Sequence, residues 1–152
     1  MKHKTTYIHN KKVFFNYEIQ DTLEAGIELL GFEAKSIKAG TGSLDGAHVI
    51  IRGGEAFLIG MRVSPYQQGN TPKDYDPLRA RKLILHKAQI ARLGAAEAKK
   101  GEGLTIVPIS LYNNASRIKV EVGVAKGKKK FDKREAIKKR ETDREIRREM
   151  KR

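Results

Sequence analysis

The 152-residue chain predicts a mainly β protein, an OB-type antiparallel Greek-key barrel with two or three short helices and a disordered basic C-terminal tail. Three observations lead there. Six or seven short segments alternate apolar and polar residues, the period of a half-buried strand. Two segments of helical spacing interrupt them without the regular strand–helix alternation that a parallel sheet requires. After Ala125 the alternation stops, and residues 126–152 are charged with almost no apolar face. That break divides the chain into a barrel, residues 1–125, and a tail, residues 126–152, with Gly127 to Arg134 as the hinge.

The elements follow in order. Met1 to Asn10 is a polar lead-in, and Lys11 to Gln20 reads as a strand with Val13, Phe15, Tyr17 and Ile19 on one face. Asp21, with Glu24 three residues on, has the form of a variant capping box, and Leu23, Ile27 and Leu30 share a helical face up to Gly31. Gly26 inside that helix costs about 1 kcal/mol relative to Ala, so a small residue there implies a close neighbour. Phe32 to Lys38 reads as the second strand, and Gly40-Thr41-Gly42 as an ordinary turn that lacks a phosphate-loop pattern. His48 to Arg52 and Glu55 to Val63 flank Gly53-Gly54, a two-residue hairpin signal. Ser64 to Pro77, rich in Pro, Gln and Asn, predicts a mobile surface loop. Basic residues then run up to Leu83-Ile84-Leu85, a short buried strand. Lys87 to Lys100 suits a helix with Ile90, Leu93 and Ala96 inward. Leu104 to Tyr112 and Ser116 to Ala125 form the last two strands, around an Asn113-Asn114 turn.

Charge narrows the function. Lys and Arg outnumber Asp and Glu by 32 to 18, and the tail holds +8 of the net +14. Both parts are basic, so a polyanion, above all a nucleic acid, is the natural partner. With no cysteine in the chain, disulfides, thiolate zinc sites and a thiol nucleophile are excluded. His3 and His9 are isolated, and no Asp, Glu and His cluster has metal-ligand spacing, so neither a metal nor another cofactor is expected. No apolar run approaches the ~18 residues of a membrane span, which points to a cytoplasmic protein without a membrane partner. An RNA nuclease using Glu24 or Glu33 with a lysine would need a nucleophile or metal motif that the chain does not present. A general OB-fold RNA binder or ribosomal component is the other alternative.

Five motifs, in order, carry a resemblance. They are Asn10-Lys11-Lys12, then Glu24-Ala25-Gly26-Ile27 followed by Gly31, Glu33, Lys35 and Ser36, then Asp76 to Leu85, then Lys119 before Val120, and finally Gly127-Lys128-Lys129 with Asp132-Lys133-Arg134. Together they resemble the SsrA-binding protein (small protein B) family over nearly all of Asn10 to Arg134. The sequence departs from the family at Asp45-Gly46-Ala47-His48, where a Tyr is usual, and at Phe131, where His or Tyr is common. The resemblance implies a non-enzymatic adaptor of ribosome rescue. Its barrel binds the tRNA-like domain of transfer-messenger RNA in place of missing anticodon and D arms. Its tail enters the empty mRNA channel of a stalled ribosome, against rRNA of the decoding centre. Elongation factor Tu is an indirect partner, through the charged RNA.

By that resemblance the RNA-binding residues are Asn10, Lys11, Lys12, Glu24, Lys35, Arg81, Lys82, Ile84, Lys119, Lys128 and Lys129. The ribosome-contacting residues are Phe131, Asp132, Lys133, Arg134, Ile146 and Met150. Several have a plainer alternative: a helix cap for Glu24, core filling for Ile84, and a solvated edge for Lys11, Lys12, Arg81, Lys82 and Lys119. Arg52, Arg62 and Arg92 read as surface charge. In the tail, Glu135–Lys139 and Asp143–Arg147 are spaced i,i+4, but without packing a helix of that length is marginal in water.

Overall fold

Seven strands form one fully antiparallel sheet in the order β1-β6-β7-β2-β5-β4-β3. In this computed structural model the described residues are 5–67, 69, 71–128 and 130–150. The strands are β1 (Thr6–His9), β2 (Tyr17–Ile27), β3 (His48–Arg52), β4 (Glu55–Ile59), β5 (Arg81–Ile84), β6 (Leu104–Asn114) and β7 (Arg117–Gly127). The helices are α1 (Val13–Asn16), α2 (Gly31–Lys38), α3 (Lys87–Ala98) and α4 (Lys130–Met150). Ile27, Leu58, Leu83, Leu111, Val120 and Val122 fill the sheet's inner face, and Ile37 of α2 and Leu93 of α3 complete the core. Helix α3 touches both β3 and β6, which also touch each other, so the curled sheet closes into a barrel around these side chains. Edge strand β3 is held by Glu97 of α3, whose Oε2 accepts the Ile51 N–H at 2.6 Å.

Several expectations stand. The hairpin at Gly53-Gly54 is formed, with φ +60° and +74° at the two glycines, the double left-handed conformation of a primed turn. Helix α3 starts where predicted, with Leu93 fully buried. The segment 64–77 is a surface loop, tied at its ends by the Val63 N–H to the Pro77 carbonyl at 3.0 Å and the Ser36 hydroxyl to the Ser64 carbonyl at 2.7 Å.

The first half of the barrel corrects the sequence reading by exchanging two elements. Tyr17–Ile27 is a strand where a helix was expected from Asp21, and Gly31–Lys38 is a helix where a strand was expected. Leu23 and Ile27 lie four residues apart, a spacing that fits both a helix and every second residue of a strand. The alternation of Glu18, Gln20, Thr22 and Glu24 outward continues unbroken through Asp21, and pairing with β7 along the whole strand decides the matter. Glu24 is therefore on a strand and caps no helix. In α2 the buried face is Glu33, Ser36 and Ile37, a helical stripe that a polar Glu hides from a hydrophobicity pattern. Lys11 and Lys12 lead into the short helix α1 and not into a strand. The last hairpin turns at Ala115-Ser116, two residues beyond Asn113-Asn114, with Ala115 at φ +58°.

Residues Lys130–Met150, expected to be disordered, form helix α4 here. It touches α1, and Ile137, Ile146 and Met150 are exposed. Its root is fixed to the body by the Lys128 N–H, which donates to the Asn16 carbonyl at 2.9 Å.

Candidate nucleic-acid interface

The outer face of the sheet brings together residues that are far apart in the chain. Cα pairing places Ile84 of β5 opposite Gly26 of β2, Gly26 opposite Lys119 of β7, and Lys119 opposite Tyr112 of β6, in one line across four strands. Alternation points Ala25, Ile27 and Val120 into the core, so this line faces outward. Ile84 is 59% exposed, which rules out core filling as its role. A cleft of about 260 Å³ opens there, floored by Gly26, Ile84 and Leu29 and rimmed by Lys38, Arg117 and Lys119. Gly26 keeps it open. A Cβ at that position would lie 3.1 Å from Ile84 Cβ and 3.6 Å from Lys119 Nζ.

Glu24 stands one pleat along the same face, opposite Glu121. Its Oε2 accepts the Tyr112 hydroxyl at 2.5 Å, and its Oε1 accepts Asn114 Nδ2 at 3.1 Å. Burial and the neighbouring Glu24 carboxylate push the Tyr112 phenol up from its usual range, so it stays a donor to Glu24. The face thus offers an apolar platform, three cations and an oriented carboxylate. Cations of this kind can meet phosphates, and an exposed aliphatic surface can pack on a base or sugar. A carboxylate repels phosphate but accepts from base amino groups and 2′-hydroxyls.

A second cluster of charges lies inside. Glu33 of α2 is fully buried and receives Arg81 Nη2 at 2.6 Å, Arg81 Nε at 2.9 Å, Arg79 through both Nε and Nη2, and the Leu30 N–H at 2.8 Å. The Tyr75 hydroxyl lies 2.8 Å from Glu33 Oε2. Burial alone would raise the Glu33 carboxyl, but hydrogen bonds from Arg79, Leu30, Tyr75 and Arg81 outweigh it and bring the pKa down to about 2. Arg81 is 0% exposed and spends its remaining donors on the carbonyls of Met61 at 2.7 Å, Arg79 at 3.1 Å and Pro77 at 3.1 Å. As an RNA-contacting residue Arg81 is therefore corrected: it ties α2, the 64–80 segment and β5 together.

The other predicted residues are scattered. Asn10 is half-buried, its side chain donating to the Pro108 carbonyl at 2.9 Å, which anchors the entry to α1. Lys11 and Lys12 are exposed beside α1, and Lys35 is exposed on α2. Lys82 pairs with Glu55 at 3.0 Å on the surface. Lys128 is half-buried, with Nζ on the Phe14 carbonyl at 2.9 Å. Lys129 lies outside the described residues, as do the side chains of Phe131, Asp132 and Lys133, while Arg134, Ile146 and Met150 are exposed on α4. Sequence reasoning missed Lys38, Arg117, Tyr112 and Asn114. Pairing β7 with β6 around the correct turn would have set Tyr112 against Lys119. Among the described residues no group of three or more His, Cys, Asp and Glu could hold a metal ion, and no helix is long and apolar enough to cross a membrane.

Known proteins are similar to this chain over nearly its whole length. The SsrA-binding protein of Clostridium novyi (strain NT) is 48% identical over 150 residues, covering 99% of this chain and 94% of that protein. The SsrA-binding protein of Synechococcus sp. (strain JA-3-3Ab) is 49% identical over 147 residues, covering 96% and 94%. A solved chain described as "tmRNA-SmpB: a journey to the center of the bacterial ribosome" superposes with a TM-score of 0.67 at 36% identity, covering 88% of this chain and 95% of that one. The family described as "SmpB protein" matches residues 7–152. Body and tail alike fall within that match, and the chain belongs to the SmpB family.

Proposed function

We propose that the protein binds the tRNA-like domain of transfer-messenger RNA and delivers it to stalled ribosomes for trans-translation, its tail probing the empty mRNA channel. The family and the similarity to SsrA-binding proteins and to a tmRNA–SmpB complex support the activity. One observation carries the assignment of the site: Ile84 and Lys119, from two different strands, meet at an exposed cleft rimmed by cations, and Glu24 of β2 stands one pleat along the same face. Lys119, Lys38 and Arg117 hold phosphates, Ile84 packs on a base or sugar, and Glu24 accepts from a base edge or a 2′-OH. The role is adaptor and not enzyme, and its place is the cytoplasm, where stalled ribosomes and elongation factor Tu carrying the charged RNA meet it.

The tail acts separately. Ile137, Ile146 and Met150 of α4 are exposed, and a helix without packing is marginal in water. The free tail therefore exchanges between helix and unfolded chain, and the phosphate walls of the mRNA channel hold it helical. Ile146 and Met150, one turn apart, supply a small apolar contact there, while Phe131 stacks on a base with Lys133 and Arg134 on adjacent phosphates.

The test is affinity for a transcript of the tRNA-like domain against random RNA at one stated salt, with peptide tagging measured on the same preparation. Full-length protein should prefer the tRNA-like transcript, and log K should fall with log salt at a slope near −4 to −5 if roughly six phosphates are neutralised. Deleting Asp132 to Arg152 should leave that affinity intact and abolish tagging. Equal affinity for random RNA would reduce the protein to a general RNA binder, and full tagging by the truncated protein would refute the tail's role.

A further inference from the structure

Helix α2 separates two clefts. Its Ala34 and Lys38 line the one described above, and its Gly31, Phe32 and Lys35 line another, of about 340 Å³, whose far wall is Tyr66 and Gln67. Tyr66 is 50% exposed. Ser64 is bonded through its carbonyl to the Ser36 hydroxyl at 2.7 Å. Across the loop, Tyr75 packs edge-on against Phe32, with ring centroids 4.7 Å apart and an interplanar angle of 86°. The Tyr75 hydroxyl bonds into the buried Glu33 cluster. Ser64 and Tyr75 thus tie the chain to α2 before and after Tyr66, whose side chain is exposed in the same cleft as the exposed Lys35.

We infer that this second cleft is a nucleotide subsite, in which one unpaired base of the RNA stacks on the Tyr66 ring and its phosphate meets Lys35. The inference rests on the RNA-binding reading above and extends its footprint around α2. Three features favour RNA as the occupant. The cleft adjoins the first one through the same helix. The cations of the two clefts, Lys35 and Lys38, lie one turn apart on α2, a spacing that a strand running from one cleft to the other can follow with successive phosphates. An open aromatic ring beside a lysine is the pairing on which unstacked bases are held, because every base presents a π-face.

The experiment measures binding of the tRNA-like transcript to full-length protein across a salt series. Tyr66→Ala should weaken binding roughly 5- to 100-fold without changing the salt slope, since stacking releases no counterions. Tyr66→Phe should bind like the parent. Lys35→Ala should reduce the magnitude of the slope by about 0.7–0.9. Lys119→Ala, in the first cleft, serves as the reference. If Lys119→Ala weakens binding and Tyr66→Ala does not, the subsite is refuted and the RNA-binding reading stands. If the parent binds this transcript no better than random RNA, the broader reading fails instead. Loss of affinity in Tyr66→Phe equal to that in Tyr66→Ala would assign the effect to the hydroxyl and overturn stacking. Normal RNA affinity of Tyr66→Ala with weakened ribosome binding would give the cleft to the ribosome.

Discussion

Strand β5 passes through two charged regions that are built from the same residue types and do opposite work. At its start, Arg81 is enclosed by Glu33, Tyr75 and three carbonyls, its charge compensated inside the protein by the Glu33 carboxylate. At its end, Ile84 lies open on the outer face, in one cleft with Lys119 and Arg117. The strand inverts the usual rule by burying the arginine and exposing the isoleucine. A buried charge that is fully paired fixes geometry. An exposed apolar residue ringed by cations is a surface waiting for an anionic partner with apolar faces, which describes RNA. The first region holds α2 and β5 at the angle that opens the second.

Breaking the buried region should give the largest effect. Glu33→Gln leaves Arg81 buried without its counter-charge, which costs ~3–5 kcal/mol and lowers the thermal midpoint by roughly 10 °C. Below the transition, RNA affinity should stay close to the parent's. A mutant that melts normally but loses RNA would place Glu33 in the interface and erase the contrast.

Acid should act on the same region with slightly smaller force. The Glu33 carboxyl sits at about 2 in the folded chain against an ordinary value of 4.5. A depressed folded-state pKa adds stability that is complete above the unfolded value and is lost as pH falls from about 4.5 toward 2. The loss amounts to about 3 kcal/mol, and Glu33→Gln should lack it. Chemical denaturation of both proteins between neutral and acid pH would show the two curves converging as pH falls.

Breaking the exposed region should spare the fold. Gly26→Ala places a methyl 3.1 Å from Ile84 Cβ and fills the cleft floor. RNA affinity should fall about tenfold, equivalent to about 1.4 kcal/mol, with the melting curve little changed. Unaltered affinity would mean that RNA does not approach the floor. The smallest effect belongs to Lys119→Ala, which should change stability by less than about 0.5 kcal/mol and reduce the magnitude of the salt slope by about 0.7–0.9. An unchanged slope would remove Lys119 from phosphate contact.

Much of this contrast could be read from the chain, and the part that could not has a physical cause. The Gly53-Gly54 hairpin, helix α3 and the β6–β7 pair follow from local chemistry, because each is specified within about thirty residues. The exchange of β2 and α2 does not, since Leu23 and Ile27 satisfy both periods and the deciding partner, β7, lies nearly a hundred residues away. Glu24 and Lys119 were identified through family motifs, while their meeting on one face depends on that same long-range pairing. Arg81 and Lys82 look alike in sequence, but strand alternation sends them to opposite faces. Arg81 shares its side with the buried Leu83, so the apolar pattern of β5 already carried that information. Tyr112 and Asn114 were hidden because they reach Glu24 across 88 and 90 residues.

Amide and methyl NMR shifts on adding the tRNA-like transcript test the division between these two faces most directly. Gly26, Ile84, Ile118 and Lys119 should shift first and furthest, with Leu83 and Leu93 in the core and Ile90 on α3 remaining still. Shifts concentrated on α3 and β3 at saturating RNA, with Gly26, Ile84 and Lys119 silent, would contradict it.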